Sequence, residues 1–146
     1  MAVTRRGAIL ALLMAVVTVA GGCAAPWTRG VRALGAWTRS AEPGEIGVVY
    51  LTLENRDARP VRVVAAETDV ADRVELHRTV HEHGGQARME HLPALEVPPR
   101  ARVQLSPGGY HLMLMGLRRP LRPGDRFALT LRFDDGRAVT VSVQVR

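Results

Sequence analysis

The sequence predicts an all-β domain, an antiparallel β-sandwich or barrel, on three observations. Short segments rich in β-branched and aliphatic residues alternate between apolar and polar positions, as in residues 46–54 (IGVVYLTLE), 127–133 and 138–145. Turn signals separate them at close spacing, among them Pro43-Gly44, Asn55-Arg56-Asp57, Pro107-Gly108-Gly109 and Asp134-Asp135-Gly136. No segment joins a helix cap to a 3.6-residue apolar repeat. The chain has 146 residues, enough for one domain with a sizeable core.

The first 22 residues stand apart from that domain. Arg5-Arg6 precede residues 8–20, an apolar run broken only by Thr18. Such a run is shorter than the ~20 residues a bilayer-spanning helix needs, and it reads as a secretory signal. It ends in Val19-Ala20-Gly21-Gly22-Cys23, which resembles the lipobox of bacterial lipoproteins, with Ala20 where Leu is usual. Cys23 is the only cysteine, so no internal disulfide can form, and lipidation would use the leftover thiol. The expectation is an exported chain, lipid-anchored to the outer face of the cytoplasmic membrane or else periplasmic or extracellular. Residues 23–30, with Pro26 and small side chains, read as a tether, and residues 31–146 as the folded domain.

Within the domain, residues 31–38 alternate weakly and make a first strand, with Trp37 as an expected core anchor. Residues 46–54 and 61–67 follow as strands. Residues 73–81 place Val74, Leu76 and Val80 on one face and Glu75, His77, Thr79 and His81 on the other. The chain returns over residues 86–91. A two-residue Gly84-Gly85 turn would set Met89 opposite Val80, facing away from His77. A three-residue loop His83-Gly84-Gly85 would set it opposite Thr79, on the His77 face. Prolines 93, 98 and 99 bracket a turn-rich connection, and residues 101–105 are a strand leading to Pro107-Gly108-Gly109. Beyond that turn, Tyr110, Leu112 and Leu114 share a core face, and His111, Met113 and Met115 share the other.

The formal charge is +6, and loss of Arg5 and Arg6 with the signal leaves 18 basic residues against 14 acidic ones. Every basic residue is arginine, and they are scattered rather than clustered with aromatics. That excludes a nucleic-acid groove. An enzyme is not expected either, because the one Cys sits at the lipidation point and no nucleophile–base arrangement can be read.

The chemistry concentrates in one third of the chain. All five histidines (His77, His81, His83, His91 and His111) lie there, as do Met89 and Met113. Imidazole and thioether are donors that soft, monovalent copper accepts and hard ions do not. His77, eleven residues, Met89, twenty-one residues and His111-x-Met113 resemble the signature of the periplasmic copper chaperones of the PCu(A)C family. Val74-Glu75-Leu76-His77, the stretch Pro107 through Leu117, Arg119-Pro120-Leu121 and Gly124-Asp125 strengthen the likeness, which runs over nearly the whole domain. The gap from His77 to Met89 is one residue longer than the usual family spacing.

The resemblance implies a cupredoxin-like Greek-key fold holding one Cu(I) near its surface through His77, Met89, His111 and Met113. It implies a copper-accepting partner: a cytochrome c oxidase subunit, with a Sco-type thiol protein as collaborator. Thioethers suit export, since they cannot be oxidised to disulfides. His81, His83 and His91 are either solvated surface residues or a secondary metal position suited to Cu(II). Two other readings compete: a metal-binding lipoprotein for copper or zinc tolerance or uptake, and a structural β-sandwich with no metal.

Overall fold

Alternation becomes two-sided strand along almost the whole domain in the computed structural model, which describes residues 30–82 and 84–146. The signal, Cys23, the tether before Gly30, and His83 lie outside the described residues. Among the described residues every regular element is a strand: β1 (Val31–Thr38), β2 (Gly47–Asn55), β3 (Val61–Glu67), β4 (Ala71–His81), β5 (Ala87–His91), β6 (Leu95–Val97), β7 (Arg102–Leu105), β8 (Tyr110–Leu117), β9 (Arg126–Phe133) and β10 (Ala138–Val145).

Hydrogen-bonded neighbours run β4, β8, β7, β2, β1, β10, β9, β3, and the Ala66↔Val74 pair between β3 and β4 closes the ring. The result is a closed barrel, which removes most free sheet edges. Below the short β7, β8 pairs directly with β2. β5 extends the sheet beyond β4, and β6 lies along β3. Pairing is antiparallel except between β1 and β10 and at the single Leu105↔Tyr110 pair of β7 and β8.

The core follows from the period-2 pattern. β9 turns Phe127, Leu129, Leu131 and Phe133 inward and its alternate residues outward; β2 does the same with Val49, Leu51 and Leu53. β8 is the exception, because His111, Leu112, Met113 and Leu114 are all buried. β8 lies between β4 on one side and β7 and β2 on the other, and its consecutive residues from His111 to Leu114 are buried on both faces.

Two expectations are corrected. Trp37 is not a core anchor. Gly35, at φ +61°, lies in a β-bulge between Leu34 and Trp37, so Ala36 and Thr38 turn inward and Trp37 outward. There its ring packs 4.8 Å from that of Tyr50, with the Arg146 guanidinium 4.9 Å from its centroid. The proline-bracketed connection also contains a strand. Leu95 and Val97 are buried as β6 pairs with β3, since the prolines flank those three residues without interrupting them.

One end of the barrel is tied by polar groups. Asn55, 1% exposed, donates from Nδ2 to the carbonyls of Arg59, Val97 and Pro98 and accepts from Asp57 N at Oδ1. Asp57 accepts from Gly30 N and pairs with Arg137, which also pairs with Asp135. Gly30, the last residue of the expected tether, is thus held by the domain. The Arg137 guanidinium holds the carboxyls of Asp57 and Asp135 below their ordinary range.

Asn55→Ala strands the buried carbonyls it caps, and should lower unfolding free energy by about 2–4 kcal/mol in urea titrations. Because the folded-state pKa of Asp57 and of Asp135 is depressed, their contribution is fully present above the ordinary carboxylate value near ~3.9 and is lost as pH falls below it. The urea midpoint should therefore drop on acidification through that range, and Asp57→Asn should give a lower midpoint at neutral pH with a shallower acid limb.

Candidate metal centre

β8, β4 and β5 lie side by side, and their registers bring the chemistry-bearing residues together. β4 and β8 pair Leu76 with Leu112, His77 with His111, and Glu75 with Met113. Leu76 and Leu112 are in the core, so the alternating His77, His111, Glu75 and Met113 share the opposite face. His111 is 2% exposed and Met113 9%, and the His77 side chain 13%.

Each of the two imidazoles has one nitrogen committed. His111 Nδ1 lies 3.0 Å from the Gly109 carbonyl, and His77 Nε2 lies 3.1 Å from Glu75 Oε2. A carbonyl and a carboxylate only accept, so each committed nitrogen carries the proton. The His77 hydrogen bond, followed by that of Arg73, holds the Glu75 carboxyl below its ordinary range and keeps it an acceptor. The other two nitrogens, His77 Nδ1 and His111 Nε2, carry free lone pairs. They are the only side-chain nitrogen or oxygen atoms among the described residues that are buried with no hydrogen-bond partner. Buried polar atoms normally find partners, and two orphans of one kind on facing residues make a candidate ligand position. The ring centroids are 6.0 Å apart.

The donor set selects the chemistry further. Among the described residues no three of His, Cys, Asp or Glu converge on a point that could hold a metal ion. An additional donor to the imidazole pair is therefore not a third His, Cys, Asp or Glu of the described residues, and the thioethers on the same face are the soft donors available. Met113, buried beside the pair, is one; Met115 is half-buried further along β8.

The β4–β5 hairpin decides the remaining candidates. Glu82 N donates to Gln86 O across a three-residue loop, with Gly84 at φ +112° and Gly85 at φ +83°. The register is Thr79↔Met89, the longer of the two loops considered, so Met89 belongs to the His77 face. It is 59% exposed, unlike Met113. His91 lies directly opposite His77, its ring edge-on with centroids 5.5 Å apart. His81 and His91 are exposed, and His83 lies outside the described residues. Among the described residues, neither His81 nor His91 belongs to a group of three or more His, Cys, Asp or Glu that could hold a metal ion. Glu75 was missed as a functional residue. Its spacing, two residues before His77 on the same face of a strand, was the available signal.

The family described as "Putative lipoprotein LpqE-like" matches residues 31–145. The chain belongs to the LpqE-like lipoprotein family. It is 34% identical over 117 residues to "Putative lipoprotein Lxx21020" of Leifsonia xyli subsp. xyli, covering 80% of this chain and 70% of that one. "Uncharacterized protein RP573" of Rickettsia prowazekii is 28% identical over 97 residues, 66% of this chain and 54% of that protein. Among solved structures, Cu(I)-bound DR1885 from Deinococcus radiodurans superposes with a TM-score of 0.62 at 34% identity, covering 87% of this chain and 83% of that one. The copper-bound PCuAC domain from PmoF2 gives a TM-score of 0.67 at 24% identity, covering 80% and 92%, and shares the fold. The expected cupredoxin-like β fold and the likeness to PCu(A)C domains are both borne out.

The tautomers follow from the hydrogen bonds and can be read directly. Long-range ¹H–¹⁵N spectra of the metal-free protein at pH 8 should show His111 protonated at Nδ1 and His77 at Nε2. The opposite tautomer at either ring would remove its free nitrogen from the site.

Proposed function

We propose that this LpqE-like lipoprotein is an extracytoplasmic Cu(I) metallochaperone. Cu(I) is its cargo, held by His77 Nδ1, His111 Nε2 and the Met113 sulfur, with the exposed Met89 as fourth donor. The observation that carries the reading is the pair of buried, unpartnered imidazole nitrogens on facing strands beside a buried thioether. The Cu(I) form of DR1885, at 34% identity over most of the chain, supports it.

The arrangement suits a soft d10 ion. All four donors are neutral, and two are thioethers, which favour Cu(I) over Cu(II). Glu75 and the Gly109 carbonyl act behind the ligands. They hold each ring by its protonated nitrogen, fix the tautomer and, in the case of the carboxylate, raise the basicity of the free nitrogen. Zinc fits poorly, because structural and catalytic zinc sites need three or more His, Cys or carboxylate donors, and no such group converges among the described residues.

The remaining parts of the reading are Cys23 as the lipidation point, an anchored location outside the cytoplasm, and delivery to a copper-protein recipient. The recipient would be the copper centre of cytochrome c oxidase, reached directly or through a Sco-type protein. The chain would transfer its cargo without turning over a substrate.

Competition titration against a Cu(I) chelator under reducing conditions tests the reading. Wild-type protein should take up one equivalent. His111→Ala should weaken binding by about 100-fold or more, since a 100-fold loss corresponds to only about 2.8 kcal/mol. Glu75→Gln, acting through His77, should weaken it by about 10- to 100-fold. Intact affinity after changing both Met89 and Met113 to Leu would end the chaperone reading.

A further inference from the structure

His77 occupies the middle of a three-strand row, with His111 in register on one side and His91 on the other. Its ring centroid lies 6.0 Å from the first and 5.5 Å from the second. The two flanking rings differ in access to solvent: His111 is buried and His91 exposed. The thioethers repeat the gradient, with Met113 buried on the strand of His111 and Met89 exposed on the strand of His91. No three of the imidazoles converge, so one ion is not met by all of them at once. The row offers two successive pairs that share His77.

We propose that His91 is an exchange ligand, through which copper passes from the buried pair to the exposed edge of the sheet. The inference rests on the copper reading above. The neutral His91 imidazole gives a nitrogen lone pair to form a new Cu–N bond, and the bond to the Met113 sulfur or the His111 nitrogen breaks. His77 stays bound throughout. Copper remains Cu(I), and no electron or proton moves. A d10 ion has no geometric preference from its d electrons, so a step through altered coordination meets little electronic resistance. The ion ends between His77, His91 and Met89, where an acceptor's donors can reach it. Direct attack on the buried side would have to pass a strand covered on both faces.

The experiment loads the purified full chain with one Cu(I) and mixes it with excess bathocuproine disulfonate in a stopped-flow instrument. The transfer rate should level off with chelator concentration, because the internal shift becomes limiting. His91→Ala should lower that plateau about tenfold while equilibrium affinity stays within about threefold, and His91→Met, another neutral soft donor, should restore it. A merely structural His91 would not be rescued by Met. An unchanged plateau in His91→Ala overturns the proposal, and so does a loss of affinity matching the loss of rate, which would make His91 a resting ligand. Absence of stoichiometric Cu(I) binding by the wild-type chain would instead overturn the copper reading itself.

Discussion

The antiparallel ladder between β4 and β8 sets everything that the site can do. Its register is held by the core face, where Leu76 stands opposite Leu112 and Val74 opposite Leu114. A slip of one residue would drive His111 and Met113 into the barrel interior and expose Leu112 and Leu114, at a cost of several buried aliphatic side chains. The packing of leucines therefore fixes where two imidazoles and a thioether meet. Donor geometry here is a by-product of hydrophobic burial, and that makes it rigid.

Rigidity has a second source in the hydrogen bonds behind the rings. Gly109 follows the tight turn at Gly108, whose φ of +80° suits glycine, and its carbonyl is thereby aimed at His111 Nδ1. Glu75 reaches His77 Nε2 from two residues away on the same strand, and that hydrogen bond, with a second from Arg73, holds its carboxyl below the ordinary range. Each ring is steered by one nitrogen and left with the other unsatisfied. Leaving a buried polar atom without a partner costs about 1–3 kcal/mol, so the metal-free barrel carries a penalty at this spot that an ion would relieve.

The hairpin beyond β4 contrasts with this buried half. Its loop contains Gly84 and Gly85 in left-handed conformations, and it accommodates the lengthened spacing without moving Met89 off the His77 face. Its candidate donors, Met89 and His91, are exposed. A buried half that orients and an exposed half that can be approached are the two requirements of a carrier that must both hold and release.

Much of this was legible in the residues. Alternation and turn chemistry located every strand but the three-residue β6 within one or two residues, because period-2 burial imprints itself directly on composition. The His and Met spacing marked His77, Met89, His111 and Met113 as candidates, and the shared face of His111 and Met113 follows from strand geometry alone. What the chain order could not say was which strand lies beside which. Only the closed barrel places β8 between β4 and β2, so burying His111 and Met113; only the loop geometry selects Thr79↔Met89 and thus sets His91 against His77. The bulge at Gly35 turned Trp37 outward for the same reason. Alternation is a local property written in sequence, whereas strand order, bulges and loop register are settled by which packing of the whole barrel buries the most apolar surface.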